Sequence, residues 1–227
     1  MLSAIDEDRI ESAVSKAEDG TSGEILVVLA KEVSRYREVP LAWAAAVSLA
    51  LPPIALTLSV RPLAAYIESL WALAQAGALD NELSIALSVY AFGQIVLFLA
   101  VFALVSIPPV RRLLTPRSLK SHRVARAAHH QFVSISSRAI GSETGVLVFV
   151  ALDDHQVQIL ADAGIHQKVG EAVWSSAAGA IGAAMKAGHD PTAGIIKAVE
   201  LCGAALKEHY PASGPQTHRF SNRPLEV

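Results

Sequence analysis

Two stretches of the chain carry no charge at all. Val39 to Val60 reads VPLAWAAAVSLALPPIALTLSV, and Ser84 to Ile107 reads SIALSVYAFGQIVLFLAVFALVSI. About 20 apolar residues rising 1.5 Å each cross a hydrocarbon core of about 30 Å, so each stretch is long enough for a transmembrane helix. A core helix of a soluble domain is amphipathic and shorter. Pro52 and Pro53 interrupt the first stretch, which membrane helices tolerate because neighbouring groups take up the freed carbonyls. The composition agrees. The 227 residues are 52% hydrophobic and only 18% charged, against about 25% charged in ordinary soluble chains, and the mean hydropathy is +0.39.

The flanks of the two spans are asymmetric. Lys31, Arg35 and Arg37 precede the first, and Arg111, Arg112, Arg117, Lys120 and Arg123 follow the second. The connector has Arg61 against Glu68, Asp80 and Glu82. The excess of cations on one side predicts a hairpin with both termini cytoplasmic and residues 61–83 outside. Within that connector Leu63, Tyr66, Ile67, Leu70, Trp71 and Ala74 follow one helical stripe, opened by Pro62 and closed near Gly77. The stripe suits an interfacial helix or a helix packed on the spans.

The totals exclude some classes. A net charge of −2 and a pI near 6.4 argue against a nucleic-acid binder, whose domains are usually basic. The single cysteine, Cys202, forms no internal disulfide and fits a reducing compartment. Met1 to Gly20 is charged and lacks the apolar core of a secretory signal.

The remaining pieces read as one soluble domain split by the hairpin, with residues 1–38 before it and 110–210 after it. Ile10, Val14 and Ala17 lie at helical spacing ahead of Gly20. EILVVLA (Glu24 to Ala30) is a continuous apolar run, the mark of a strand buried on both faces. After the second span, Val124, Ala127, Ala128, Phe132 and Ile135 share a helical face. Gly145 to Leu152 is the second strand, Asp153-Asp154-His155-Gln156 a turn, and Val157 to Ala161 the third strand. A helix over Val169 to Met185 buries Val173, Trp174, Ala177, Ile181, Ala184 and Met185. Another, capped by Asp190 and opened by Pro191, buries Ile195, Ile196, Val199, Cys202 and Leu206. The tail, 211–227, is polar and unpatterned and is expected to be disordered. This order predicts a small α/β sandwich with the first two strands parallel.

That topology brings three acids to one edge of the sheet. Glu24 and Glu143 stand where the first two strands begin, and Asp162 where the third ends, with Gly23, Gly145 and Gly164 beside them. Converging carboxylates suit a hard divalent cation, Ca²⁺ or Mg²⁺, which could polarise a phosphoryl oxygen. Acids at strand ends are also commonly solvated or cap the next helix, and both accounts stand at this level. His166, just past the third strand, is a candidate ligand or acid/base and equally an ordinary surface histidine. Asp153-Asp154 fits a turn. His122, His129 and His130 share a helix without metal-ligand spacing, and Gly179, Gly182 and Gly188 are best explained by close helix packing. No P-loop, G-x-G-x-x-G opening a helix, G-x-S-x-G or cysteine-nucleophile motif occurs. The spans hold no acid or base, which disfavours an ion-coupled transporter.

SGEILVVLA (Ser22 to Ala30), ETGVLVFVALDDHQVQILADAGI (Glu143 to Ile165) and KVGEAVW (Lys168 to Trp174) together resemble the TPM domain family. More closely, the chain resembles the short bacterial membrane-protein branch in which two spans interrupt the domain. The resemblance implies an α/β sandwich, phosphatase activity and divalent-ion binding in some members, and membrane-complex maintenance in others. Where the family has Asp-Asn-Gly, this chain has Glu143-Thr144-Gly145, and Asp162-Ala163-Gly164 stands in place of Gly-Tyr-Gly. The expectation is a multi-pass protein of the bacterial inner membrane, acting as an accessory or interaction module and binding Ca²⁺ or Mg²⁺ through Glu24, Glu143 and Asp162. Its partners would be the lipid bilayer and a membrane protein or a second copy, not nucleic acid. The alternative is a metal-dependent phosphatase with Glu143, Asp162 and His166 as catalytic candidates. A third reading has Gly93 and Gln94 mediating helix contacts in a larger complex.

Overall fold

A computed structural model describes residues 3–34, 36–57, 82–136, 145–188, 190–212 and 221–227, with single positions at 65, 68 and 72. The expected stripe in the connector lies outside the described residues. Two compact units result, one of residues 1–34 with 117–227 and one of residues 35–116.

The first unit is an α/β sandwich. Its strands are β1 (Glu24–Ala30), β2 (Gly145–Ala151), β3 (Gln156–Ala161) and β4 (Leu225–Glu226), in the spatial order β3-β2-β1-β4. β1 pairs parallel with β2, with Glu24 opposite Gly145 and Ala30 opposite Ala151. β2 and β3 form the antiparallel hairpin that the sequence predicts, with Val146 opposite Ala161. Its turn places His155 at φ +50, a left-handed conformation uncommon outside glycine.

The sheet is covered on both faces, which explains the unbroken apolar runs. Ile25, Val27, Leu29, Val146, Val148 and Val150 face one core, completed by α1 (Ala4–Glu18) and by the helices α7 (Glu171–Lys186) and α8 (Pro191–His209). Leu26, Val28, Ala30, Leu147, Phe149 and Ala151 face the other, covered by Val124 and Ala128 of α5 (Arg117–Ser136). Asp190 caps α8, its Oδ1 accepting the Thr192 N–H at 2.9 Å. Cys202 is fully buried in the first core, and burial pushes its thiol up to about 12. Since the thiolate is the reactive form, an alkylating reagent at pH 8 should leave the folded protein unmodified and label Cys202 only in denaturant. Rapid native labelling would show the site to be open.

Three features depart from the sequence reading. The single helix expected from Val169 is two, α6 (Ala163–Val169) and α7, separated by Gly170 at φ +81. α6 buries only Ile165, so no repeating stripe announces it. The tail, expected to be disordered, returns to the sheet: Leu225 and Glu226 pair parallel with Val28 and Leu29 of β1, and the Arg223 guanidinium meets Glu7 Oε2 at 2.8 Å. Close helix packing is also misplaced by the sequence. A Cβ at Gly179, Gly182 or Gly188 would meet nothing within 4 Å, and Gly188, at φ +69, ends α7. The tight approaches are on α8, where a Cβ at Gly194 would lie 2.8 Å from Ala184 Cβ and one at Gly203 2.6 Å from Ala17 Cβ.

The second unit contains α2 (Glu38–Thr57), α3 (Glu82–Ser106) and the short α4 (Pro108–Leu114). α2 and α3 include stretches long and apolar enough to cross a membrane, Glu38–Ala55 and Ser88–Ser106. Only 22% of the first and 6% of the second is buried. Neither stretch is mostly buried among the described residues. Leu49, Phe92, Ile95 and Leu99 stand outward. Between the two helices Gln94 Nε2 donates to Ser48 O at 3.3 Å, while a Cβ at Gly93 would meet nothing.

Candidate functional site

The edge where β1 and β2 begin and β3 ends was the sequence's candidate site. Glu24 lies directly opposite Gly145, and Gly145 is tied in turn to Asp162. The Gly145 N–H donates to Asp162 Oδ2 at 2.7 Å, and the Asp162 N–H donates to Gly145 O at 3.1 Å. Glu24 and Asp162 thus share the predicted edge, one strand apart on either side of β2. Glu143 lies outside the described residues.

Asp162 occupies the N-cap position of α6 without capping it. Its carboxylate instead fastens β3 to the first residue of β2. A charge-assisted hydrogen bond is about twice as strong as a neutral one. Asp162→Ala removes the acceptor and orphans a half-buried N–H, so a loss of about 1–2 kcal/mol is expected in urea unfolding. Asp162→Asn, which keeps an acceptor oxygen, should lose less. Equal losses in the two variants would exclude the clamp.

The three neighbouring glycines admit groups of the protein itself. A Cβ at Gly23 would lie 2.9 Å from Leu206 Cδ2, one at Gly145 3.3 Å from Asp162 Oδ2, and one at Gly164 3.5 Å from Tyr210 Oη. Tyr210, at the end of α8, joins this edge to the start of β1. Its carbonyl accepts from Thr21 Oγ1 at 2.6 Å and from the Ser22 N–H at 3.0 Å, and Lys168 Nζ sits 4.6 Å above its ring. Thr21 Oγ1 also accepts the Gly23 N–H at 3.1 Å.

Sequence reasoning missed Glu18. This last residue of α1 is 3% exposed, and its Oε1 accepts the Ile25 N–H at 2.7 Å. A signal was present: a carboxylate in the last turn of a helix opposes the macrodipole, so it needs another reason to be there. His166 lies on α6, its Nε2 3.5 Å from Glu171 Oε2, with both side chains more than half exposed. Such a surface pair contributes little. At the opposite end of the hairpin Asp154 is only 5% exposed, and its Oδ2 meets no hydrogen-bond partner among the described residues.

A divalent cation needs several oxygen ligands at about 2.3–2.6 Å. Among the described residues no three His, Cys, Asp or Glu side chains are grouped to hold one. Glu24 and Asp162 alone do not make the site, and one oxygen of Asp162 is already engaged.

Residues 112–205 match the family model of the TPM domain. No curated protein matches the sequence. Among solved structures, the NMR structure of BA42 protein from the psychrophilic bacterium Bizionia argentinensis sp. nov. is similar with a TM-score of 0.55 and 18% identity, over 100% of this chain and 96% of that one. At that identity the likeness is one of fold.

Proposed function

We propose that this chain, residues 112–205 of which match the TPM domain model, is a membrane-anchored accessory or interaction module rather than a free-standing enzyme. The observation that carries the reading is the pair of apolar helices whose surfaces stay outside any core. Left in water, such faces would exceed what a monomeric soluble protein exposes. The basic flanks support an orientation with both termini in the cytoplasm, and the reading takes the membrane to be a bacterial inner membrane. Carbonate-washed membranes should retain the protein, and a fluorescent reporter fused after Val227 should be active while an exported phosphatase reporter there stays silent. Release by carbonate, or the opposite reporter pattern, would sink the proposed placement.

The reading includes a divalent cation at the acidic edge, with Glu143 completing what Glu24 and Asp162 begin. A cation bound only by the native state raises stability by about 2.7 kcal/mol at a hundredfold excess over Kd. Ca²⁺ or Mg²⁺ should therefore raise the melting temperature of the detergent-purified protein, and Glu24→Gln and Glu143→Gln should each abolish the rise. These two positions are preferable to Asp162, whose substitution also loosens the hairpin. An unchanged melting temperature would leave the acids as strand-end fastenings. It would also remove the basis for phosphatase chemistry, since that reading requires the same cation with an open coordination position.

A further inference from the structure

No acidic residue occurs between Glu82 and Glu143, although the chain as a whole is slightly acidic. Within this acid-free run, α4 and α5 carry Arg111, Arg112, Arg117, Lys120, Arg123 and Arg126, joined by His122, His129 and His130. The sheet takes the apolar stripe of α5 through Val124 and Ala128. That leaves His122, Arg126, His129 and His130 exposed. Beside them runs a groove of about 430 Å³ lined by Ser34, His122, Arg123, Arg126 and His130. Its wall is fixed, because Arg123 Nη1 donates to Ser34 Oγ at 2.6 Å. Among the described residues, no carboxylate pairs with Lys120 or Arg126 within 4 Å.

Chain connectivity says what meets this face. α4 starts two residues after α3 ends, and only Thr115 and Pro116 separate α4 from α5. Even fully extended, the segment from Ser106 to Arg117 reaches no more than about 40 Å, and a helical α4 shortens it further. On the membrane reading, this covalent link leaves the first turns of α5 within reach of the leaflet at which α3 ends. We propose that the basic face of α5 binds the phosphates of anionic lipid headgroups on that side of the membrane. The inference rests on the membrane reading above and adds a specific ligand to it. Arginine suits this task because its planar fork engages phosphate oxygens in pairs. Each cation brought to an anionic leaflet strengthens attachment by roughly fivefold, an effect that falls off within a Debye length.

The test uses the full chain in lipid nanodiscs of phosphatidylcholine alone or mixed with phosphatidylglycerol, with hydrogen exchange read over residues 117–130. Phosphatidylglycerol should slow exchange there, and high salt should reverse the effect. The Lys120→Gln/Arg126→Gln protein should lose the protection with its melting temperature unchanged, since both side chains lie outside the core. Equal exchange in the two lipids, or protection retained in the double variant, overturns the inference and leaves the membrane reading intact. Protection reproduced in phosphatidylcholine discs by inorganic phosphate would overturn it in favour of a soluble ligand. Failure to enter discs of either composition would overturn the membrane reading and this inference with it.

Discussion

Gly203→Val is expected to cost the first unit about 3 kcal/mol, the upper part of the range for overpacked cores, and to lower its melting temperature by roughly 10 °C. The reason is local. α8 crosses α1 so closely that a Cβ at 203 would lie 2.6 Å from Ala17 Cβ and 2.9 Å from Ala17 Cα and O. Two of those three atoms are backbone and cannot rotate away, so α1 itself must shift. Its stripe of Ile10, Val14 and Ala17 would then leave a core in which all three are buried. Gly203→Ala should lose less. At Gly179, where the added carbon meets open space, alanine should be neutral or gain up to about 1 kcal/mol from helix propensity. Melting curves of the three variants decide the matter, and a Gly203→Val protein as stable as the parent would sink the account of this crossing.

The second large effect is expected at Glu18. Its Oε1 takes the Ile25 N–H at 2.7 Å in a buried hydrogen bond. Glu18→Ala leaves that donor unsatisfied, a penalty of about 1–3 kcal/mol, with bonds to charged groups toward the top of the range. Removing a buried carboxylate also relieves its desolvation, which works in the other direction. The hydrogen-bond loss should win here, because the orphaned N–H belongs to the first core strand. Glu18→Gln keeps the acceptor and separates the two contributions. If glutamine costs as much as alanine in urea unfolding, the charge matters more than the bond.

Much of this was legible in the sequence because it follows from periodicity. β1 and β2 are buried on both faces, so EILVVLA and GVLVFVA read as unbroken apolar runs. The stripes of α1, α5, α7 and α8 recur every three or four residues for the complementary reason. The elements that escaped detection have too few residues to repeat: α6 and α4 have seven each, and β4 has two. The acidic edge was legible as a location, since parallel pairing brings Glu24 opposite Gly145 and the returning β3 brings Asp162 beside it. What Asp162 does there was not legible. Whether a carboxylate turns to a cation or to a neighbouring N–H depends on distances of a few tenths of an ångström. The sequence also assigned close packing to glycines within α7, when the crossing partners of α8 decide it. A glycine pattern names residues that permit approach and leaves open what approaches.

The interruption of the sandwich by two apolar helices has a consequence for biogenesis. β1 leaves the ribosome before the apolar segments, but its central partner β2 begins at Gly145, more than a hundred residues later. At about 5–20 residues per second, translation alone takes roughly ten seconds to supply that partner. During this interval a short, largely apolar strand has only α1 to shield it. On the proposed membrane reading, insertion therefore precedes closure of the sheet, and a chain that stalls at insertion presents an unpaired edge to its neighbours. The early bond from Glu18 to Ile25, made between residues only seven apart, belongs to the part of the fold that can form during the wait.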